Sequence, residues 1–266
     1  MSYNFTTIKF LFETAVRHLL QRVTILSLML TGSICEANMQ VSPTQVFVVA
    51  EHSASGITLL NTGGEDLYAQ VRVFEWQQQN GEEKLLPTRA IVASPPMLQL
   101  APGVNQLVRI VRNGAPPTDI ESSFRIIIDE LPVNLERAKQ ATNNTLSTPT
   151  NGLQFRLRYS IPVFLEPPKQ IAMQPILSTQ LIKEKDGYFL RISNGGNSHA
   201  HITDLTWKQD QQRISIASGL AGYVLPGQQR QWRLDDNLSL IGGGEFTARI
   251  NGELLDRTLI SITETN

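Results

Sequence analysis

The sequence has a single cysteine, Cys35, in 266 residues. One thiol excludes both a disulfide framework and a cysteine-based zinc site. Charge is also scarce. Only 18% of residues are charged, and 23 Lys+Arg against 24 Asp+Glu leave a net charge of −1. The basic footprint with which proteins grip nucleic acid is therefore missing. Long helical stretches between strands are missing too, which argues against a doubly wound α/β fold. What is there is 41% hydrophobic residues, enough for packed cores and too much for a disordered chain. The length suits one large domain or two ordinary ones of about 100–150 residues.

The first 37 residues are of a different kind. Lys9, Arg17, His18 and Arg22 precede an almost uncharged run from Val23 to Cys35, and Glu36 and Ala37 follow. A basic segment, a short apolar stretch and a small residue at its exit describe a cleaved secretory signal, residues 1–37. The run is shorter than the roughly 20 residues that span a bilayer. Removing it takes away three basic and two acidic residues, leaving a charge of −2 and no cysteine. A secreted chain without disulfides must hold together through its cores.

Beyond residue 37 the pattern is that of strands. Alternation runs through Gln70–Phe74, Gln106–Arg112 and Phe124–Ile128, and after residue 168 through Tyr188–Ile192 and Phe246–Ile250. Turn residues divide these runs: Asn61-Thr62-Gly63-Gly64, Asn80-Gly81, Ala101-Pro102-Gly103, Asn194-Gly195-Gly196-Asn197 and Leu225-Pro226-Gly227. Asn80-Gly81 is the strongest of them, since both positions tolerate the positive φ of a hairpin turn. Two antiparallel β-sandwiches account for this pattern. Pro167-Pro168 marks the expected boundary, because a proline pair cannot donate to a ladder and stiffens an extended linker. The expected domains are 38–168 and 169–266. No repeat of 20–50 residues suggests a solenoid or propeller.

Enzyme chemistry finds little support. There is no phosphate loop, no Gly-x-Ser-x-Gly elbow, and no Rossmann context for Gly242-Gly243-Gly244. His199-Ala200-His201 has the spacing of two metal ligands on one strand face, with Asp204 the nearest carboxylate. It reads as a surface hairpin carrying two histidines; a metal-dependent hydrolase would rest on this pair alone. Asp129-Glu130 and Asp235-Asp236 are adjacent carboxylates that a strand sends to opposite faces, as solvated or ion-paired surface. No catalytic residue, metal or cofactor is expected.

The most regular period-two run lies at residues 153–164. Leu153, Phe155, Leu157, Tyr159 and Ile161 share one face, and Gln154, Arg156, Arg158 and Ser160 the other. A stretch of about 20 residues with little apolar content precedes it, and loops of that length tend to be functional or disordered. On a sheet edge the run would expose unpaired backbone and large apolar side chains, an aggregation hazard unless a partner uses it. Strand addition to an incomplete partner sheet is such a use. The plainer reading makes the run one row of its own domain's core, in a secreted two-sandwich adhesion or structural protein.

In order and spacing, several segments resemble the periplasmic chaperones of chaperone–usher pili. They are Val41-Ser42-Pro43, Ile91-Val92-Ala93-Ser94-Pro95-Pro96, Leu100-Ala101-Pro102-Gly103 with Gln106–Ile110, Asp129-Glu130-Leu131-Pro132, and residues 153–168 with their double proline. Tyr159 to Phe164 is similar to the Tyr-x-Ile-Pro-Val-Phe of the archaic, spore-coat-U-like branch. The resemblance implies two immunoglobulin-like β-sandwich domains in tandem, set at an angle. It implies a periplasmic, non-enzymatic chaperone that donates its last first-domain strand to pilin subunits and delivers them to an outer-membrane usher. The donor side chains would be Leu153, Phe155 and Leu157. Where well-known members carry an Arg and a Lys that anchor the subunit's terminal carboxylate, this sequence has Phe47 and Pro162. Arg156, Arg158, Arg109 and Arg125 are the substitute candidates, since a guanidinium grips a carboxylate with two parallel bonds. An exposed donor edge would also favour self-association of the free protein.

Overall fold

The computed structural model describes residues 39–131, 156–236, 238 and 243–262. Among these, every regular element is a β-strand. In the first half they are β1 Met39–Ser42, β2 Val46–Val48, β3 Ala54–Asn61, β4 Leu67–Gln79, β5 Glu82–Pro87, β6 Ile91–Ser94, β7 Met97–Leu100, β8 Asn105–Arg112, β9 Ser122–Leu131 and β10 Arg158–Leu165. The second half holds β11 Leu177–Glu184, β12 Gly187–Asn194, β13 Ala200–Gln209, β14 Gln212–Val224, β15 Gln229–Arg233, β16 Gly244–Ile250 and β17 Arg257–Ile262.

They form two sandwiches in tandem. In the first, a sheet ordered β1-β3-β8-β6 faces one ordered β2-β10-β9-β4-β5, with β7 also paired to β4. In the second, β11-β12-β15 faces β14-β13-β16-β17. The alternation seen in sequence decides which side chains enter each core. On β9, Phe124, Ile126 and Ile128 join Ile57, Leu59, Val108, Ile110 and Val163 between the first two sheets. Ser123, Arg125, Ile127 and Asp129 point the other way. The second core gathers Leu190, Ile192, Ile202, Leu205, Trp207 and Phe246. Each such side chain contributes about 1.5–3 kcal/mol when taken out of water. Gly244 is pressed against Trp207 at a φ of +150°, where a Cβ would meet the indole at 2.3 Å.

The turns follow their chemistry. Asn80 and Gly81 take φ of 54° and 82° and join β4 to β5, as a hairpin turn of mirror-image type requires. Two asparagines do more than turn the chain. Asn61 ends β3 wholly buried, and its amide donates to the carbonyls of Glu65 and Leu100 while its side-chain oxygen accepts from Gly63 N. Asn194 ends β12 in the same way, donating to Ser198 and Val224 and accepting from Gly196 N. The backbone oxygens of the two accept from Gly103 N and Gly227 N respectively, each in a Pro-Gly turn. Both sandwiches are therefore closed by one corner used twice, a kinship hidden from any search for short repeats.

A third cluster joins the two halves. Trp76 of β4, Phe164 of β10, Tyr223 of β14 and Leu225 are buried together. Gln78 acts here as a substitute peptide. Its amide nitrogen donates to Tyr223 O at 2.7 Å, and its oxygen accepts from Leu225 N at 3.0 Å. Residues 38–266 accordingly form one compact unit.

Candidate subunit-binding edge

β10 occupies a special place in its sheet. Along Arg158–Leu165 it pairs antiparallel with β9. Its other side is covered only at the far end, where Val163–Leu165 run parallel to Val46–Val48 of β2. Among the described residues, Arg158 to Pro162 therefore has a backbone partner on one side alone. Pro162 has no N–H to give, so proline is tolerated at this place. The pairing with β9 continues one step before the strand, since Glu130 N donates to Leu157 O at 3.1 Å and Leu157 N to the Glu130 carboxylate at 3.3 Å.

Of the three expected donor side chains, Leu157 is half-buried directly ahead of β10, on the face that Tyr159 and Ile161 share. Leu153 and Phe155 lie outside the described residues. The Tyr159 hydroxyl donates to Met39 O, which ties β10 to the first strand. Burial, with the charge of Glu130 nearby, pushes that phenol above its ordinary value.

The four arginines singled out in sequence occupy three different settings. Arg158 meets Asp129 at 2.5 Å, and Arg72 of β4 meets the other oxygen of the same carboxylate at 2.6 Å. Burial alone would raise the Asp129 pKa, but the hydrogen bonds from Arg158 and Arg72 outweigh it and hold it below 3.8. Two guanidinium groups thus share one carboxylate beside this edge, with the Glu130 carboxylate close by at Leu157 N. Arg156 is exposed immediately ahead of this pair. Arg109 is exposed on β8, between β3 and β6, in the opposite sheet.

Arg125 lies under the third cluster. Its guanidinium sits 3.7 Å from the Trp76 ring and 5.6 Å from that of Tyr223. It reaches Glu83 at 3.5 Å, and Glu83 also holds Arg230 at 2.8 Å. Burial lowers its pKa from the ordinary arginine value, with Glu83 opposing. The sequence pointed to neither Arg72 nor Glu83. Both lie far along the chain from their partners, and only the register of β4 against β9 and β5 brings them in.

His199 corrects the surface-hairpin expectation. It is buried, its ring stacked on Phe164 and its Nδ1 2.8 Å from the carboxylate of Glu121. Its Nε2 lies 3.3 Å from the Gln45 amide nitrogen. His201 lies against the Tyr223 ring instead, at 4.8 Å. Among the described residues, no three His, Cys, Asp or Glu side chains converge as metal ligands do.

Sequence comparison assigns residues 38–170 to the pili and flagellar-assembly chaperones, as the PapD N-terminal domain. The chain belongs to this chaperone family. The fold agrees. The CsuC–CsuE chaperone–tip subunit pre-assembly complex, from archaic chaperone–usher Csu pili of Acinetobacter baumannii, matches with a TM-score of 0.65 at 22% identity. That match covers 86% of this chain and all of the other. The YadV chaperone matches at 0.59 and 15% identity over 84% of this chain and all of the other. The Salmonella enterica SafB chaperone structure with SafA pilin matches at 0.55 and 16% identity, covering 85% and 97%. No curated protein sequence gives a significant match. The chaperone thus has the two immunoglobulin-like sandwiches of its family.

Proposed function

We propose that this protein is a periplasmic chaperone that captures pilin subunits by lending them the edge of β10. The one-sided pairing of Arg158–Pro162 carries this reading. An incomplete subunit sheet would take its missing backbone bonds from that edge, and Leu153, Phe155 and Leu157 would fill alternate pockets. Three such side chains contribute on the order of 5–9 kcal/mol gross, part of which is offset by ordering the segment that carries them. No nucleotide and no catalysis are needed. The related structures in which a chaperone holds a tip subunit or a pilin support this mode of action. Delivery to an outer-membrane usher follows from it, as does export through a cleaved signal at residues 1–37. We place the functional boundary of the donor domain at residue 168.

The carboxylate anchor is assigned here to Arg158 with Arg72. Arg125 is committed to Trp76 and Glu83, and Arg109 belongs to the other sheet. Asp129 positions the two guanidinium groups and neutralises only one of them.

The deciding experiment is affinity purification of the tagged protein from its own host's periplasm, with mass spectrometry of what accompanies it. A pilin subunit should co-purify. Leu157→Arg should remove it while the thermal unfolding midpoint stays unchanged. Unfolding of the first sandwich by Leu157→Arg would instead make the run ordinary core and favour a structural protein.

A further inference from the structure

On the core-facing side of the β2-β10-β9-β4-β5 sheet, β4, β9 and β10 set their side chains in rungs of three. Val73, Ile126 and Ile161 form one, and Val71, Ile128 and Tyr159 the next. The rung after these is Ala69, Glu130 and Leu157. Ala69 is the β4 partner of Glu130, and the bond from Glu130 N to Leu157 O at 3.1 Å carries the pairing with β10 on by that step. Strand alternation puts Glu130 on the face of Phe124, Ile126 and Ile128, all of them core residues. A carboxylate thus stands where two rungs with isoleucine at the centre prescribe an apolar side chain.

The backbone bonding changes at the same place. A closely spaced antiparallel pair exchanges two N–H···O bonds between its main chains. Here Glu130 N supplies one of them, but the return bond, from Leu157 N, goes to the Glu130 carboxylate at 3.3 Å. A charge in a core-facing row costs stability unless it is hydrogen-bonded, and a leucine would extend the row at no such cost. Local rules broken in this way belong to functional positions. The next residue is held from the opposite face, where Arg158 meets Asp129 at 2.5 Å. Adjacent carboxylates of β9 therefore grip adjacent residues of the donor run. Asp129 holds a side chain, which leaves the main chain free to turn; Glu130 holds the main chain itself.

We propose that Glu130 is the positioning residue of the donor run: its carboxylate takes the Leu157 N–H, keeps the main chain in line with β9 there, and so aims the apolar side chains beyond it at the subunit. This rests on the donor-strand reading and names what pre-orients the strand. A segment held in its binding geometry binds more tightly, because it loses less freedom on capture. The apolar floor of the sandwich also stops at this rung, which leaves the side chains further out to a partner.

Three substitutions in the tagged full-length protein test this. Subunit recovered from the host periplasm is quantified by mass spectrometry, and hydrogen exchange of the Leu157 amide is followed in the purified protein free of subunit. Glu130→Ala should speed that exchange and reduce recovery, each by roughly tenfold or more, the worth of a hydrogen bond to a charged group. Glu130→Gln keeps a side-chain oxygen for the N–H and should stay close to the parent in both. Glu130→Leu completes the apolar row, so its unfolding midpoint should equal or exceed the parent's while recovery falls as in Glu130→Ala. Normal recovery with Glu130→Leu, or unchanged exchange at Leu157 in Glu130→Ala, overturns the positioning role. So does a loss of recovery that merely follows a loss of unfolding midpoint. Each of these leaves the donor strand intact as long as Leu157→Arg still abolishes recovery. Recovery that survives Leu157→Arg overturns the donor-strand reading, and the role of Glu130 with it.

Discussion

The imidazole of His199 lies flat on the ring of Phe164, centroids 3.7 Å apart and planes within 5°. Phe164 belongs to the strand that would be lent to a subunit, and His199 to the opening of β13 in the second sandwich. The root of the donor strand is therefore packed by one half of the molecule and paired by the other. A strand offered to a partner must be anchored at its base, or the partner would simply pull it out.

Truncating that base should be costly. Phe164→Ala is expected to destabilise the protein by about 3–5 kcal/mol, the range for a fully buried aromatic. His199→Ala leaves the buried Glu121 carboxylate without this hydrogen-bond partner, at a cost of about 1.5–3 kcal/mol. Adding Glu121→Gln to His199→Ala should recover part of that loss. Urea denaturation of the two single variants and the double variant measures the coupling; strictly additive losses would deny it.

His201 predicts a pH dependence. Burial, and then the nearby His199, lower its pKa from 6.5. The folded state disfavours the charged ring, so its contribution is fully present above 6.5. It is lost as the pH falls from there through the lowered folded value, because the unfolded chain then binds the proton more readily. His201→Gln should flatten the fall in stability between about pH 7 and pH 5. A slope identical to that of the parent protein would assign the effect elsewhere.

Arg158 should matter to capture and little to folding. Arg158→Ala is expected to weaken subunit binding by about 1.5–3 kcal/mol, the worth of a hydrogen bond to a charged group. Arg158→Lys should restore only part of this, since it cannot make the two parallel bonds of a guanidinium. Titration of the purified subunit into each variant reads this directly. Unchanged affinity in both Arg158→Ala and Arg72→Ala would move the anchor elsewhere.

The repeated corner makes a paired prediction. Asn61→Ala leaves the carbonyls of Glu65 and Leu100 and the Gly63 amide without their partner, and Asn194→Ala the carbonyls of Ser198 and Val224 and the amides of Gly196 and Ile176. Each should cost about 3 kcal/mol or more, despite lying in turns that look alike and dispensable in sequence. Serine, which is too short to reach the second carbonyl, should not rescue either. Thermal unfolding of both variants checks this, and a loss confined to one sandwich would break the equivalence.

Much of the fold was legible beforehand. Alternation in Gln70–Phe74, Gln106–Arg112 and Phe124–Ile128 located β4, β8 and β9, because a side-chain period of two is a local property of extended chain. Asn80-Gly81 announced its hairpin for the same local reason. The candidate site was half legible. The regular run ahead of Pro162 pointed to β10, yet whether a strand lies at an edge depends on what pairs beside it. Arg72 could not be assigned, since nothing near it in sequence connects it to Asp129 or Arg158. His199 was misplaced because a histidine in a polar stretch reads as surface; its burial comes from Phe164 and Glu121, contributed by the other sandwich.

The sequence by itself determined the all-β character, the two sets of strands and the apolar row at Leu153–Ile161, for these follow from local backbone preference and alternation. Family membership was likewise written into the order of short segments. Only the tertiary structure decided that β2 covers β10 at Val163–Leu165 and that, among the described residues, Arg158–Pro162 is paired on one side alone. It alone decided that two arginines share Asp129. These depend on strand register between residues from about thirty to more than a hundred positions apart, and no local pattern encodes that.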